Sequence, residues 1–273
     1  MAKNILITGG NSGIGKEMAR ALAGNGDRVI IASSKLDKSQ AAVDEIKNDQ
    51  SDANIEAMAL DLADFDAIDR FAADVIERMP VIDVLILNAG LYTHGARRLD
   101  NGLEAMIGVM HFGHFRLVQR LQNAVTSAEQ GRIVVTSSVA HKLGKIRAAS
   151  FEDPSKHRIA FSGYAQAKLA NLLFTRELAR RLEGTKATVN AFHPGAVDTG
   201  VWQELPKPLQ KMIGLFLVSS RQGADTGIWL ASAPEAGEYN GDYFVNRKRA
   251  FGSSESRDKS LASWLWEDSE ARM

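Results

Sequence analysis

Apolar runs of strand length alternate with longer helical stretches through most of the 273-residue sequence. No other feature restricts the fold as much. Near-continuous apolar strands, each separated from the next by a helix, build a parallel sheet covered on both faces. The pattern predicts strands at Asn4–Thr8, Arg28–Ala32, Asn54–Leu60, Val81–Leu87, Arg132–Thr136, Thr188–Phe192 and Asp242–Val245. Helical patterns lie between them, near 14–24, 37–49, 64–78, 101–128, 162–183 and 221–232. The connections are short, no fixed-period repeat appears, and no Pro/Gly/Ser-rich linker divides the chain. Residues 1–273 therefore read as one α/β domain, a doubly wound sheet of about seven mainly parallel strands that binds ligand at its carboxyl edge. Two stretches break the regularity. Residues 140–161 are polar and irregular, and 198–220 insert apolar residues between a strand and a helix.

Composition narrows the function. Lys plus Arg and Asp plus Glu both number 33, so no basic field exists to attract nucleic acid or anionic lipid. Cysteine is absent, which removes disulfides, thiolate metal sites and cysteine nucleophiles together and fits the reducing cytoplasm. The apolar runs at Asn4–Thr8 and Met212–Val218 are too short for a signal core or a membrane span. The expectation is a soluble protein with neither nucleic acid nor membrane as partner.

The first strand runs straight into Thr8-Gly9-Gly10-Asn11-Ser12-Gly13-Ile14-Gly15, and a helix follows. Glycines permit a sharp turn and let a pyrophosphate approach the backbone, while the helix amino terminus supplies unpaired N–H groups and a favourable dipole. A glycine-rich turn alone is weak evidence. Four glycines between an apolar strand and a helix at the first crossover are much stronger, and they assign Thr8, Gly9, Asn11, Ser12, Gly13, Ile14 and Gly15 to a dinucleotide's phosphates.

A second constellation carries chemistry. Lys168 follows Tyr164 by four residues, so both project from one face of a helix. Tyrosine exchanges protons poorly at its reference pKa of about 10, and a nearby ammonium is expected to lower that value toward working pH. Ser138, just beyond the fifth predicted strand, is placed to hydrogen-bond a substrate oxygen. Ser137 stands next to it, and residues alternate along a strand end, so only one of the two serines should face the cleft. In isolation, Tyr164 and Lys168 would be an ordinary solvated helix pair.

Taken together these features resemble the short-chain dehydrogenase/reductase family. The turn matches its Thr-Gly-x-x-x-Gly-x-Gly pattern, and Tyr164-Ala165-Gln166-Ala167-Lys168 matches its Tyr-x-x-x-Lys signature. Asp61-Leu62, Asn88-Ala89-Gly90, Ser137-Ser138 and Pro194-Gly195-Ala196-Val197-Asp198-Thr199 stand in the family's order after successive strands. The resemblance covers residues 1 to about 250. Lys168-Leu169-Ala170-Asn171, His193-Pro194-Gly195 and Gly223-Ala224-Asp225-Thr226 look like the retinol-dehydrogenase and WW-domain-oxidoreductase branch. The resemblance implies a Rossmann-type fold and hydride transfer between a nicotinamide cofactor and an alcohol or carbonyl. It implies Tyr164 as general acid/base, Lys168 lowering its pKa and holding the nicotinamide ribose, and Ser138 orienting the carbonyl. It adds Asp61, Leu62, Asn88, Ala89, Gly90, Pro194, Gly195, Val197 and Thr199 to the cofactor contacts, with Asp61 against the adenine.

The second strand ends Ala32-Ser33-Ser34-Lys35-Leu36, and the first acid is Asp37. NAD selection uses an acid there for the ribose hydroxyls, whereas Ser33, Ser34 and Lys35 suit a 2′-phosphate. NADP(H) is favoured over NAD(H), with NAD retained as the alternative.

One departure bears on turnover. Met110 stands where the resembled family carries an asparagine that helps relay protons to the lysine, and a thioether is a weak acceptor and no donor. A catalytically weakened dinucleotide-binding regulatory or interaction protein is therefore the alternative to an active enzyme. His111 and His114 stand three apart, but no cysteine or neighbouring carboxylate completes a metal site, so packing is the expected role.

The resemblance places a substrate lid at about 198–220. Its Val201, Trp202, Leu205, Leu209, Met212, Ile213, Leu215 and Phe216 suit a lipophilic aldehyde, ketone or alcohol, or else pack on the core. Leu261, Trp264 and Leu265 mark one apolar helix face in the C-terminal tail, 251–273. The helices at 101–128 and 162–183 pair subunits in many relatives, and 140–161 would obstruct that surface, so monomer and homodimer both stay open. Membrane-bound members of the branch carry an apolar anchor ahead of the first strand, whereas this sequence opens on the strand.

Overall fold

The computed structural model describes residues 2–157, 159–197 and 217–273. Seven strands run parallel in one sheet: β1 (Asn4–Thr8), β2 (Arg28–Ser33), β3 (Ile55–Ala59), β4 (Val84–Leu87), β5 (Arg132–Thr136), β6 (Thr188–His193) and β7 (Tyr243–Val245). An eighth, β8 (Lys248–Arg249), folds back antiparallel on β7, in an order β8-β7-β6-β5-β4-β1-β2-β3. This hairpin adds one strand to the expected seven. Its two-residue turn, Asn246-Arg247, holds both residues at positive φ, the geometry of a tight hairpin. Ala196–Val197 and Leu217–Val218 pair outside the main sheet.

Helices cover both faces. Strand alternation sends Ile5, Ile7, Val29 and Ile31 to one side, where they meet Met18 and Leu22 of α1 (Gly13–Gly24) and Val43 and Ile46 of α2 (Leu36–Asp49). Leu6, Ile30, Leu85 and Ile133 face the other side. There they meet Phe71 and Val75 of α3 (Phe65–Arg78), Phe115 and Leu121 of α4 (His114–Thr126), and Leu178 of α5 (Ala160–Arg181). α6 (Ser220–Ser232) opens with a Ser219/Gln222 capping box and packs beside α1. Because β1 lies between β2 and β4, its two neighbours' connections diverge and leave a crevice at the carboxyl ends of β1 and β4.

Three expectations change. The helix predicted over 101–128 begins at Ala105 and passes through a π-helical turn, Gly108–Gly113, before α4. Residues 140–161, polar and irregular in sequence, are anchored in the core. Phe151 is fully buried against Phe112, with ring centroids 5.4 Å apart, and its carbonyl accepts from the Glu104 N–H at 2.6 Å. In the tail, α7 (Lys259–Ala271) buries Leu265 but turns Trp264 outward at 39% exposure. Trp266 takes the inner position, 4.7 Å from the Phe115 ring and stacked on Phe174, with the Arg181 guanidinium 4.4 Å over its face. The tail thus completes the core on α5.

Candidate functional site

The glycine turn sits at the carboxyl end of β1, and its shape needs glycine. Gly9 (φ +69°) and Gly13 (φ +53°) hold left-handed backbone. A methyl group on Gly15 would lie 2.1 Å from the Gly9 carbonyl oxygen, and one on Gly9 would lie 2.9 Å from Ala89 Cα. Nothing stands within 4 Å of the same position on Gly13, so this part of the turn faces open space. A backbone cradle of this kind, at the amino end of α1, fits a pyrophosphate.

Thr8 and Asn88 lock the turn to the next strand. The backbone N–H groups of Asn88 and Ala89 both donate to Thr8 Oγ1 at 3.0 Å. Asn88 Nδ2 donates to the carbonyls of Thr8 (3.1 Å) and Gly9 (3.3 Å), and Thr136 Oγ1 donates to Asn88 Oδ1 at 3.3 Å. Asn88, Ala89 and Gly90 are therefore brought together with Thr8 and Gly9, as the motifs require.

At the end of β2, Ser34 and Lys35 are exposed, and Lys35 stands at the start of α2. The Ser33 hydroxyl is already engaged by Ser39 Oγ at 2.8 Å and by the Lys35 backbone, so it shapes the loop from within. Asp61 is exposed beyond β3 and accepts from the Ala63 N–H at 2.9 Å, while Leu62 is buried against Gly113. Pro194 and Gly195 (φ +89°) follow β6, and Val197 belongs to the short strand pair. Asp198 and Thr199, with lid residues 198–216, lie outside the described residues.

The proton-handling groups converge beside this crevice. Ser137 Oγ donates to the Lys168 carbonyl at 2.9 Å, which turns it into α5 and leaves Ser138 facing Tyr164. Ser138 accepts from the Ala140 N–H at 3.2 Å, and its own carbonyl accepts from His141 Nδ1 at 2.5 Å. The Lys168 ammonium lies 5.6 Å from the centre of the Tyr164 ring and donates to the Thr136 carbonyl at 3.1 Å, where Asn171 Nδ2 also donates at 3.2 Å.

The electrostatics differ from expectation. Burial pushes Tyr164 up to about 12, against a smaller downward pull from Ser138, and burial lowers Lys168 to about 8. Burial outweighs the lowering expected from the neighbouring ammonium, which is itself desolvated and bound to the Thr136 carbonyl. At neutral pH the arrangement offers a protonated phenol beside a charged lysine, which is a proton donor.

Met110 occupies this site too. A methyl group on Gly90 would lie 3.1 Å from Met110 Sδ and 3.8 Å from Lys168 Nζ, so the thioether and the ammonium share one small space. His111 cannot take the missing asparagine's place. Its Nε2 is bound to Ser269 Oγ at 2.9 Å, and burial lowers its pKa to about 3. Among the described residues no group of three or more His, Asp or Glu is arranged to hold a metal.

Two contributors carry no mark in the sequence. The Thr136 carbonyl that anchors Lys168 is backbone, which no motif reports. His114, with Nε2 2.8 Å from Thr8 Oγ1, was readable only as a packing histidine.

Around Tyr164, the rings of Tyr92 and Phe161 lie 5.8 and 6.3 Å away. Val139, Leu143 and Ile159, from the segments flanking Ser138 and Tyr164, are large apolar side chains left exposed.

Comparison with known proteins agrees with this geometry. Residues 3–210 match the family model described as short chain dehydrogenase. Retinol dehydrogenase 12 of Mus musculus is 39% identical over 266 residues, covering 97% of this chain and 84% of that protein. WW domain-containing oxidoreductase of Gallus gallus is 35% identical over 280 residues, covering 98% of this chain and 67% of its own length. Among solved structures, an uncharacterized protein from Mycobacterium Paratuberculosis superposes with a TM-score of 0.81 at 31% identity, over 99% of this chain and 92% of the other. An actinorhodin polyketide ketoreductase solved with NADPH shares the fold, with a TM-score of 0.70 at 23% identity, over 89% of this chain and 95% of the other. The chain belongs to the short-chain dehydrogenase family and is an oxidoreductase that works on alcohol and carbonyl groups with a nicotinamide dinucleotide.

Proposed function

We propose that this protein is an NADP(H)-dependent enzyme that interconverts a lipophilic alcohol and its aldehyde or ketone, with Tyr164 as the proton-transfer group. The observation that carries the reading is the convergence of Ser138, Tyr164 and Lys168 beside the glycine turn, with the phenol held protonated and the lysine charged. Bound nicotinamide dinucleotide supplies or accepts the hydride. In the reductive direction Tyr164 Oη gives its proton to the carbonyl oxygen as the carbon is reduced, and an alcohol results. Ser138 orients that oxygen, and the Lys168 charge favours the phenolate left behind. A phenol that is neutral at physiological pH suits reduction, because alcohol oxidation requires the phenolate.

Thr8 to Gly15, Asn88 to Gly90 and the segment from Pro194 would hold the dinucleotide, with Ser34 and Lys35 at its ribose phosphate. Exposed Lys35 favours NADP(H), since it offers a cation where NAD selection uses an acid. The apolar rim of Tyr92, Val139, Leu143, Ile159 and Phe161 favours a lipophilic carbonyl, and the retinol dehydrogenase relatives make retinoids the first class to try.

The test is NADPH consumption with a panel of apolar aldehydes and ketones, retinal included, and NADH in parallel. Turnover of at least one carbonyl, faster with NADPH, supports the proposal. Tight NADPH binding without turnover of any member would favour the weakened, binding-only reading that Met110 suggests.

A further inference from the structure

We propose that His114 is a positioning residue with two separable bonds, one that holds the dinucleotide turn through Thr8 and one that holds the Met110 turn against Lys168. The proposal deepens the functional reading above and rests on it for its catalytic half.

The geometry fixes a single consistent pattern of protons. Thr8 Oγ1 accepts from the N–H groups of Asn88 and Ala89, so its own hydrogen is free to be given away. His114 Nε2 lies 2.8 Å from it, whereas the alternative acceptor, the Ile86 carbonyl, is 3.4 Å distant. The hydroxyl donates to Nε2, which leaves the proton of the neutral ring on Nδ1. Nδ1 in turn lies 3.1 Å from the Met110 carbonyl and donates to it. Burial holds this imidazole neutral, with its pKa lowered to about 4, so the pattern persists across the physiological range.

The π-helical turn explains why a side chain is needed. In an α-helix the His114 N–H would bond the carbonyl four residues back, that of Met110. The π-helical turn Gly108–Gly113 breaks that register, because its bonds reach back five residues, and the imidazole takes the Met110 carbonyl. The side chain thus closes the turn that carries Met110. The thioether of that residue shares the space over Gly90 with the Lys168 ammonium. One ring therefore spans the cofactor turn and the catalytic lysine, and each of its nitrogens serves one of them.

Amide side chains separate the two bonds. Glutamine presents an oxygen near the position of Nε2 and keeps the Thr8 bond. Asparagine presents an N–H near the position of Nδ1 and keeps the Met110 bond. His114→Asn should weaken NADPH binding, read from the fluorescence of the bound cofactor, about five- to tenfold, the value of one buried neutral hydrogen bond. Its kcat at saturating cofactor should stay within about twofold of the parent. His114→Gln should show the reverse, an unchanged NADPH affinity with kcat lowered about fivefold. Thr8→Val, which leaves the histidine in place but also strips the Asn88 and Ala89 N–H groups of their acceptor, should lose at least as much NADPH affinity as His114→Asn. The double variant should add nothing further.

Equal losses of affinity and kcat in both amide variants would overturn the proposal, as would no loss in either. The binding measurements stand without turnover. If the protein reduces none of the carbonyls, His114→Asn must still bind NADPH more weakly than His114→Gln. If an amide variant fails to fold, Thr8→Val with unaltered NADPH affinity overturns the cofactor half.

Discussion

Lys168 Nζ donates to the backbone carbonyl of Thr136 at 3.1 Å, which ties the ammonium to the end of β5 rather than to the Tyr164 phenol. Both groups are buried, and burial moves them in opposite directions, which sets the pH behaviour of the site. Burial lowers Lys168 to about 8 and raises Tyr164 to about 12. Below pH 8 the lysine is charged and the tyrosine carries its proton, the state that carbonyl reduction needs. Above it the ammonium is lost while the phenol stays neutral, so nothing favours the phenolate formed in the transition state. NADPH-dependent reduction is therefore expected to be level from pH 6 to 7.5 and to fall as pH rises through about 8. A pH profile of kcat/KM checks this, and a rate that climbs through pH 9 would contradict it.

The glycine turn tolerates no side chain at Gly15. In Gly15→Ala the new methyl meets the Gly9 carbonyl oxygen. Backbone must move, at about 1–3 kcal/mol of stability, and NADPH affinity should drop more than tenfold. Thermal melting and cofactor titration on the same sample measure both. Gly13→Ala, where the space is open, should lose far less affinity per degree of melting temperature, the residual cost coming from its positive φ.

Cofactor choice is tested at Lys35. Replacing it with aspartate removes the cation at the end of β2 and supplies the acid that NAD selection uses. NADPH affinity should fall about tenfold, the order expected for one charge-assisted contact, while NADH affinity holds or improves. Comparison of the two KM values decides it.

The tail is structural. Trp266→Ala removes a ring buried among Phe115, Phe174 and Arg181 and should cost about 3–5 kcal/mol. Melting should drop by about 10 °C in a chain of this size. Trp264→Ala, at a position 39% exposed, should cost under about 1 kcal/mol.

That pair of tryptophans shows what was legible in the sequence and what was not. Spacing predicts a helix near Leu261–Leu265, and the helix is there. The same spacing put Trp264 on the apolar face, but packing against Phe115 and Phe174 turns Trp266 inward instead. The strands and the glycine turn are written locally, in apolar runs and in glycines, so they were readable. The grouping of Ser138, Tyr164 and Lys168 was readable as a motif; alternation said only that one of the two serines turns away, and it is Ser137 that bonds the Lys168 carbonyl. The state of that group was not readable. Whether a phenol beside an ammonium titrates low depends on how deeply the pair is buried, and here burial decides it. The π-helical turn at Gly108–Gly113 and the anchoring of 140–161 by Phe151 arise from long-range contacts that periodicity does not encode.

The central claim is that Tyr164 moves the proton. Its most direct test is Tyr164→Phe beside the parent protein, with NADPH consumption measured on whichever carbonyl of the panel the parent reduces best and with NADPH binding measured separately. Phenylalanine preserves the ring and its contacts with Tyr92 and Phe161 and removes only the hydroxyl. The account predicts that turnover falls at least a hundredfold, the lower range for losing general acid–base catalysis, while NADPH affinity stays within about threefold of the parent. Turnover that survives the loss of the hydroxyl would contradict the account and assign the proton to another group.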